Sequence, residues 1–341
     1  MFYRLNLQLF AGNFNPNVTT QTTSGSSMAP TMKTFYDTAL IENAREELVF
    51  DKFGDKQKMK GNTVEWRKFN TFPKALTALT EAVIPDGKSF GMTAITATTA
   101  QYGDYTTVSD RLEMEAYDDI IYGATEEMGA AAGATFNTLT RNALFAQATS
   151  HLFAPKSGGT VPNAEPDSSV SGAVLMDNTC LITPKVINQA ATFLKKNHTP
   201  KIDGYYIALI HPSVAEDLRE STEWKEFHKY DDTAPIYKGE IGTLHGIRFI
   251  ENTECLVRKG SGAGAFATYE TFIFGAKAYG IIDPQGESME MIIKDRGVIG
   301  GPLEQFSTIG YKFCHGAKIL YPERFLVLHT ASSYSAIDSA N

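Results

Sequence analysis

The sequence predicts an α+β fold, because strand-like and helix-like segments interleave without the repeating βαβ rhythm of a parallel sheet. Two further observations shape that class. Residues 56–97 read as a long, two-armed extended excursion, and residues 110–150 as the most helical stretch of the chain. At 341 residues there is enough material for one large domain or two.

In chain order, residues 1–33 come first, with the run NVTTQTTSGSSMAPT. That composition buries too little apolar surface to fold alone. Order in such a tail requires something to hold it, most simply another copy of the chain. The opening MFYRLNLQLF is interrupted by Arg4, Asn6 and Gln8, so it has no signal-peptide h-region. No run of about 18 apolar residues occurs anywhere. The expectation is a protein made and folded in the cytoplasm, with no membrane partner. Next, TFYDTALIENAREELVFDKFGD reads as a short amphipathic helix with Tyr36, Leu40, Ala44 and Leu48 on one face, and Gly54 placed to end it.

The excursion opens with GNTVEWRKFNTFP, Gly61 to Pro73. Val64 and Trp66 point one way, and Thr63, Glu65 and Arg67 the other, the period of a half-buried strand. The adjoining stretch KALTALTEAVIPDGKSFGMTAIT mixes Thr, Ala and charge until extended character returns near Phe90. A loop of this length is anomalous inside a compact monomer. The expectation is that its apolar partner belongs to a neighbouring subunit.

TTAQYGDYTTVSD then reads as a strand carrying Tyr102 and Tyr105 and closing at Ser109 or Asp110. Asp110 with Glu113 resembles a capping box at a helix start. In the helix, Met128, Ala132, Thr135, Leu139, Ala143 and Ala146 fall on one stripe. Gly129 and Gly133, costing about 1 kcal/mol each against Ala, mark close backbone contact, and Gly123 is a point where the helix can break. Residues 154–179 are rich in Gly, Pro and Ser and read as a loop or insertion. From 183 a compact region begins. Thr183 is an N-cap, Pro184 takes the first helical position, and Val186, Ile187, Ala190, Ala191 and Leu194 form the buried face. YYIALIHPSVAEDLREST is a buried strand, a turn and a helix. GIRFIENTE, AFATYETFIFG, KAYGIID, SMEMIIKD, EQFSTIGYKFCHGAKILYP and RFLVLHTA supply further strands.

Composition narrows the function. A net charge of −8 with scattered lysines argues against a dedicated nucleic-acid binder and suits solubility at high concentration. Cys180, Cys255 and Cys314 have no short spacing and read as buried free thiols in a reducing compartment. The seven histidines form no H-x-x-x-H pair and lie at no metal-ligand spacing from a cysteine. His211, before Pro212, reads as a strand-end residue. His315 adjoins Cys314, but adjacent strand residues face opposite ways and do not pair. The acid pairs Asp118–Asp119, Glu126–Glu127 and Asp231–Asp232 read as solvated faces. GSGAGA is followed by a strand and reads as a hairpin tip instead of a phosphate cradle. The expectation is no enzyme, no catalytic residue, no cofactor and no metal.

The order of segments carries more than any single motif. An N-terminal arm, a two-armed loop, a long helix and a compact α+β region returning to strands resemble the Hong Kong 97-type shell fold of tailed-phage major capsid proteins. LVFDKFGDKQKMKGNTVEWRKFN, LTEAVIPDGK and YGDYTTVSD are similar to the branch typified by coliphage N-four. NLQLFA resembles the openings of many phage head proteins, and IALIHPSVAEDLR and IGTLHGIRFIENTE resemble apical-domain segments. The resemblance implies an N-terminal arm at 1–55 and an extended E-loop at 56–97. It implies a peripheral domain at 98–182 with a spine helix and an inserted loop, and an axial domain at 183–285. Strands at 286–341 would return to both domains. It further implies a coat subunit of the virion, assembled in the host cytoplasm. Pentamers and hexamers would build an icosahedral head around double-stranded DNA, with portal and scaffold or decoration proteins as further partners. Subunit contacts are expected at Trp66, Arg67 and Phe69 on the loop, and at Tyr36 and Phe50 of the arm region. Weak, non-specific DNA contact is expected through Lys33, Arg45 and Lys52. The alternatives are an encapsulin-type nanocompartment and a stand-alone α+β enzyme.

Overall fold

Alternation on a few buried strands organises the molecule. The computed structural model describes residues 49–341, apart from 60–62, 71, 73, 77, 79–80, 82–83, 85–86, 116–119, 157–175, 228–239, 260–265, 285–288, 295–302, 304 and 336. Tyr36, Lys33, Arg45, most of the first expected helix, most of the 154–179 insertion, the GSGAGA tip and the pairs Asp118–Asp119 and Asp231–Asp232 lie outside the described residues.

The main sheet has seven strands: β5 (His151–Phe153), β6 (Tyr206–Ile210), β7 (Glu240–Leu244), β8 (Ile247–Glu251), β9 (Val257–Lys259), β10 (Ala267–Phe274) and β15 (Phe325–Thr330). Their order is β5-β15-β10-β6-β8-β7, with β9 also on β10. The sheet is covered on both faces, which is why β6 and β15 read as continuous apolar runs. Tyr206, Ala208 and Ile210 meet Val186, Ile187, Ala190, Ala191 and Leu194 of helix α4 (Pro184–Lys196) and Val214 and Leu218 of α5 (Pro212–Glu220). Ile207 and Leu209 face the other way, toward Phe272, Phe274, Phe325 and Val327. The buried face read for α4 is the one observed. Thr183 makes no side-chain cap bond there, and Pro184 alone sets the helix start. β6 and β8 are parallel. The chain between them, which includes α5 and α6 (Thr222–Phe227), forms a crossover long enough for that pairing. The interleaving therefore contains one local parallel unit that the α+β reading did not include.

A second sheet, β12-β13-β4, joins Glu290–Lys294, Phe306–His315 and Ala100–Ser109. The helical region beside it is two helices, α2 (Asp110–Glu115) and α3 (Ile120–Gln147), and Gly123 sits inside α3. The cap also differs from the expected box: Ser109 Oγ accepts the Leu112 N–H at 3.3 Å. At 28 residues α3 is about 42 Å long, enough to serve two cores. Met128, Ala132, Phe136 and Leu139 pack on Ile309, Tyr311 and Phe313 of β13, with Gly129 and Gly133 buried on that side. Phe136, Leu144, Phe145 and Ala148 pack beneath the main sheet. The stripe therefore turns at its C-terminal end, where Leu144 is buried and Ala146 exposed, because the second core lies on a different side of the helix.

Helix α1 (Val49–Phe53) has five residues, too short to persist alone. Phe50 anchors it. Its ring meets Phe272 edge-on at 5.6 Å, its N–H donates to Asn137 Oδ1 at 3.3 Å, and its C=O accepts from the Tyr279 hydroxyl at 2.6 Å. Phe50 is fully buried in its own chain. The expectation that it meets another subunit is corrected, since its apolar partners come from the main sheet. Gly54 comes next because a Cβ there would stand 2.7 Å from Ile281. Strand β1 (Asp55–Met59) pairs in parallel with β11 (Tyr279–Pro284), which also pairs with β14 (Ala317–Ile319). The chain then leaves as the hairpin β2 (Thr63–Phe69) and β3 (Met92–Thr98).

Candidate assembly surface

The two faces of β2 have different fates, as the period-two pattern demands. Val64 is buried with Ala97 and Ile282, and Trp66 packs beside them. The Trp66 ring lies over Gly280 of β11, where a Cβ would stand 2.8 Å from its Cζ2. Lys68 continues the same face: its Nζ lies 4.4 Å from the Tyr321 ring centroid and 3.6 Å from Glu323 Oε1. Arg324 stacks on Tyr321 at 3.8 Å. The base of the hairpin is thus fastened to its own subunit. The expectation that the Val64–Trp66 face lacks a partner in its own chain is corrected, the partner lying in β11, far along the sequence and invisible locally.

Glu65, Arg67 and Phe69 project outward. Arg67 Nε bonds Glu65 Oε1 at 2.9 Å, which leaves that pair neutral as a unit. Farther out, the Phe69 and Phe90 rings stack at 4.8 Å and Phe72 stacks on Phe90 at 5.5 Å. Asn70 clamps the two arms together, its N–H donating to Gly91 O at 3.0 Å and its Oδ1 accepting from Thr93 Oγ1 at 2.9 Å. A Cβ at Gly91 would lie 2.9 Å from Asn70 Nδ2. The ring stack is ordered yet wet, with Phe69 61 %, Phe90 60 % and Phe72 51 % exposed. Leu76 and Ile84 stand out farther still, at 88 % and 93 %. Such a cluster is too large to be an accident of surface composition. Of the expected contact residues, Arg67 and Phe69 share this outward face, Trp66 lies against its own chain, and Phe50 is remote in the core.

Gly87–Gly91 spells G-x-S-x-G, the nucleophile-elbow pattern. Ser89 sits in an exposed irregular segment, without the strand-to-helix turn which that chemistry needs. Elsewhere, a groove of about 580 Å³ opens on the β12-β13-β4 sheet, lined by Asp104, Tyr105, Lys294 and Lys312 among others. Gly103 lines it at a point where no side chain fits: a Cβ there would stand 2.5 Å from Tyr311 O.

One buried polar cluster escaped sequence reading. His151 Nδ1 lies 2.9 Å from His329 Nε2, His329 Nδ1 pairs with Glu270, and Glu270 Oε1 lies 3.2 Å from Arg258 Nε. Burial holds the His151 pKa below its ordinary value, and the His329 charge acts the same way. The cluster ties β5, β15, β10 and β9 together, and its members are consumed by one another. Only tertiary pairing brings residues 178 positions apart into one relay. His211 is an N-cap, its Nδ1 accepting from Ser213 N at 3.3 Å, so its ring is held by the fold. Cys180 and Cys255 are buried thiols and Cys314 is half-buried.

A family model described as phage capsid protein matches residues 92–291, more than half of the chain. The chain belongs to that family. No curated protein matches this capsid protein. Its fold is similar to the capsid of cyanophage P-SCSP1u, at 15% identity and a TM-score of 0.62 over 84% of this chain and 89% of that one. It is similar to the capsid of Ralstonia phage GP4 at 14% identity and 0.59, over 84% and 88%. It is also similar to the capsid of Helicobacter pylori bacteriophage KHP30 at 10% identity and 0.58, over 83% and 91%. This capsid protein therefore has the Hong Kong 97-type shell fold. It is a major capsid protein of a phage head, and it works by binding further copies of itself.

Proposed function

We propose that this capsid protein closes into pentamers and hexamers through its hairpin, and that the resulting icosahedral head encloses double-stranded DNA. The single observation that carries the reading is the exposed aromatic stack of Phe69, Phe72 and Phe90 on a hairpin whose base is fastened to its own subunit. Burying the remaining exposed half of each ring against a neighbour is worth about 1–2 kcal/mol, before the costs of association. Heterologous contacts of this kind between identical subunits generate closed rings. In this reading residues 56–97 are the E-loop, 98–182 the peripheral domain on its spine helix α3, and 183–285 the axial domain. Residues 286–341 return to both, and of the 1–55 arm the part ahead of Val49 docks on a neighbour, Phe50 staying in its own core. Arg67 and Phe69 make the inter-subunit contact directly, while Trp66 aims the hairpin from below. Assembly takes place in the host cytoplasm, with portal and scaffold or decoration proteins as partners, and the acidic surface leaves DNA contact weak.

The test separates folding from assembly. Phe69→Ala and Phe90→Ala, together, change an exposed site, so the free subunit should keep its stability within about 0.5 kcal/mol. Particle yield by electron microscopy and sedimentation should fall sharply. Normal shells from the double variant, or from a chain lacking residues 70–88, would refute the reading.

A further inference from the structure

Arg141, near the C-terminal end of α3, is fully buried. A guanidinium is tolerated there only if its donors and its charge are met. Nε donates to Asn142 Oδ1 at 3.2 Å, Nη1 to Glu254 O at 2.9 Å and to Asn341 Oδ1 at 3.0 Å, and Nη2 to Asn341 O at 3.0 Å. Burial lowers its pKa and the Glu254 charge opposes that shift. Two of these four bonds end on one residue, 200 positions away.

Asn341 is gripped from the other side as well. Its side-chain Nδ2 donates to Cys255 O at 3.1 Å, and its Oδ1 accepts from Val257 N at 2.9 Å. Its own N–H donates to Val257 O at 3.3 Å. The amide thus reads the backbone beside β9 as a neighbouring strand residue would, and β9 is only three residues long. Asparagine suits the place chemically. Aspartate would set an oxygen against Cys255 O. Alanine would remove the Oδ1 that Arg141 Nη1 and Val257 N share, leaving Val257 N without an acceptor and Arg141 with Glu254 O and Asn341 O. The segment leading there is fastened too. Ser332 Oγ donates to Ser213 O at 2.8 Å, Ser333 N to Asp217 Oδ2 at 3.1 Å, and Lys259 Nζ to Ile337 O at 3.2 Å.

These contacts add to the ties at the C-terminal half of α3, where Gln147 also donates from Nε2 to Ala317 O at 3.1 Å and accepts at Oε1 from Ile319 N at 3.2 Å. The helix carries the β12-β13-β4 sheet on its first half, and Arg141 ties its second half to the edge of the main sheet. We infer that Arg141 and Asn341 form a latch fixing the angle between α3, with the sheet it carries, and the main sheet, and that Asn341 is thereby a positioning residue for uniform shell closure. The second half of that statement rests on the reading of the chain as a shell-forming subunit.

The full-length Asn341→Ala variant tests it, with Asn341→Asp as a milder partner in case alanine prevents folding. Hydrogen exchange in the free subunit should rise about tenfold in peptides covering 137–147 and 254–259, and stay at the wild-type rate over β12 and β13. Asn341→Asp, which keeps the acceptor for Arg141, should fall between. Shells formed by the variant should show a broadened diameter distribution by electron microscopy at temperatures well below unfolding. Unchanged exchange at 254–259 in both variants overturns the latch. Faster exchange with wild-type diameters overturns the positioning role. A wild-type chain that forms no shells at all fails the assembly reading instead, and the exchange result still decides the latch.

Discussion

Acid should destabilise this subunit through one histidine in particular. His315 Nε2 lies 3.1 Å from Thr140 Oγ1, and that hydroxyl already donates to Phe136 O at 2.9 Å. The hydroxyl must therefore accept, His315 carries its proton on Nε2, and Nδ1 is left as a buried lone pair with no hydrogen-bond partner. The Phe136 ring centroid is 4.3 Å away, so a second proton would create a cation cut off from water between α3 and β13. Burial pulls the pKa from its ordinary 6.5 to about 4. The sign follows from linkage. The unfolded chain takes up a proton at this site first, so stability is fully present above about pH 6.5 and is lost as pH falls toward 4. At roughly 1.36 kcal/mol per pH unit, that interval amounts to about 3 kcal/mol. The assay is urea unfolding of the free subunit at about pH 7.5 and about pH 4, for wild type and His315→Leu. Leucine leaves the Thr140–Phe136 bond intact, so no donor is orphaned. The loss on acidification should shrink by roughly 2–3 kcal/mol in the variant. Parallel pH curves for the two proteins would refute the assignment.

Two other outcomes rest on packing. Phe50→Ala should cost the free subunit about 3–5 kcal/mol, read as a lower urea midpoint, because the ring fills a site enclosed by Phe272 and the main sheet. Were Phe50 a subunit contact, the midpoint would hold and only assembly would suffer. Gly280→Ala should drive the Trp66 ring off β11, since the new methyl would lie 2.8 Å from Cζ2. A cost of about 1–3 kcal/mol and a red shift of Trp66 emission, measured in a Trp224→Phe background, are expected.

Much of the fold was legible because it is local. The α4 face from Val186 to Leu194, the buried strands β6 and β15, and the two-sided β2 are each periodic patterns in one stretch of chain. The helix cap was misplaced by one residue because Ser109 and Asp110 are both cap formers, and only the backbone path chooses between them. The α3 stripe was read as straight because a single period assumes one neighbour, whereas this helix has two.

The exposed aromatic cluster was also within reach of the sequence, since Phe69, Phe72 and Phe90 stand in a stretch otherwise mixed from Thr, Ala and charge. The floor beneath Trp66 was not. Gly280 and Ile282 are more than 200 positions away, and the missing side chain at Gly280 is a signal only once the ring is seen above it. The same holds for His151 with His329 and for Arg141 with Asn341. Local sequence dictates which stretches alternate, coil into helices or stay exposed, because those properties depend on near neighbours and on water. The folded arrangement settles which buried polar groups satisfy one another and which glycines make room, because those bonds close between segments whose spacing along the chain carries no period.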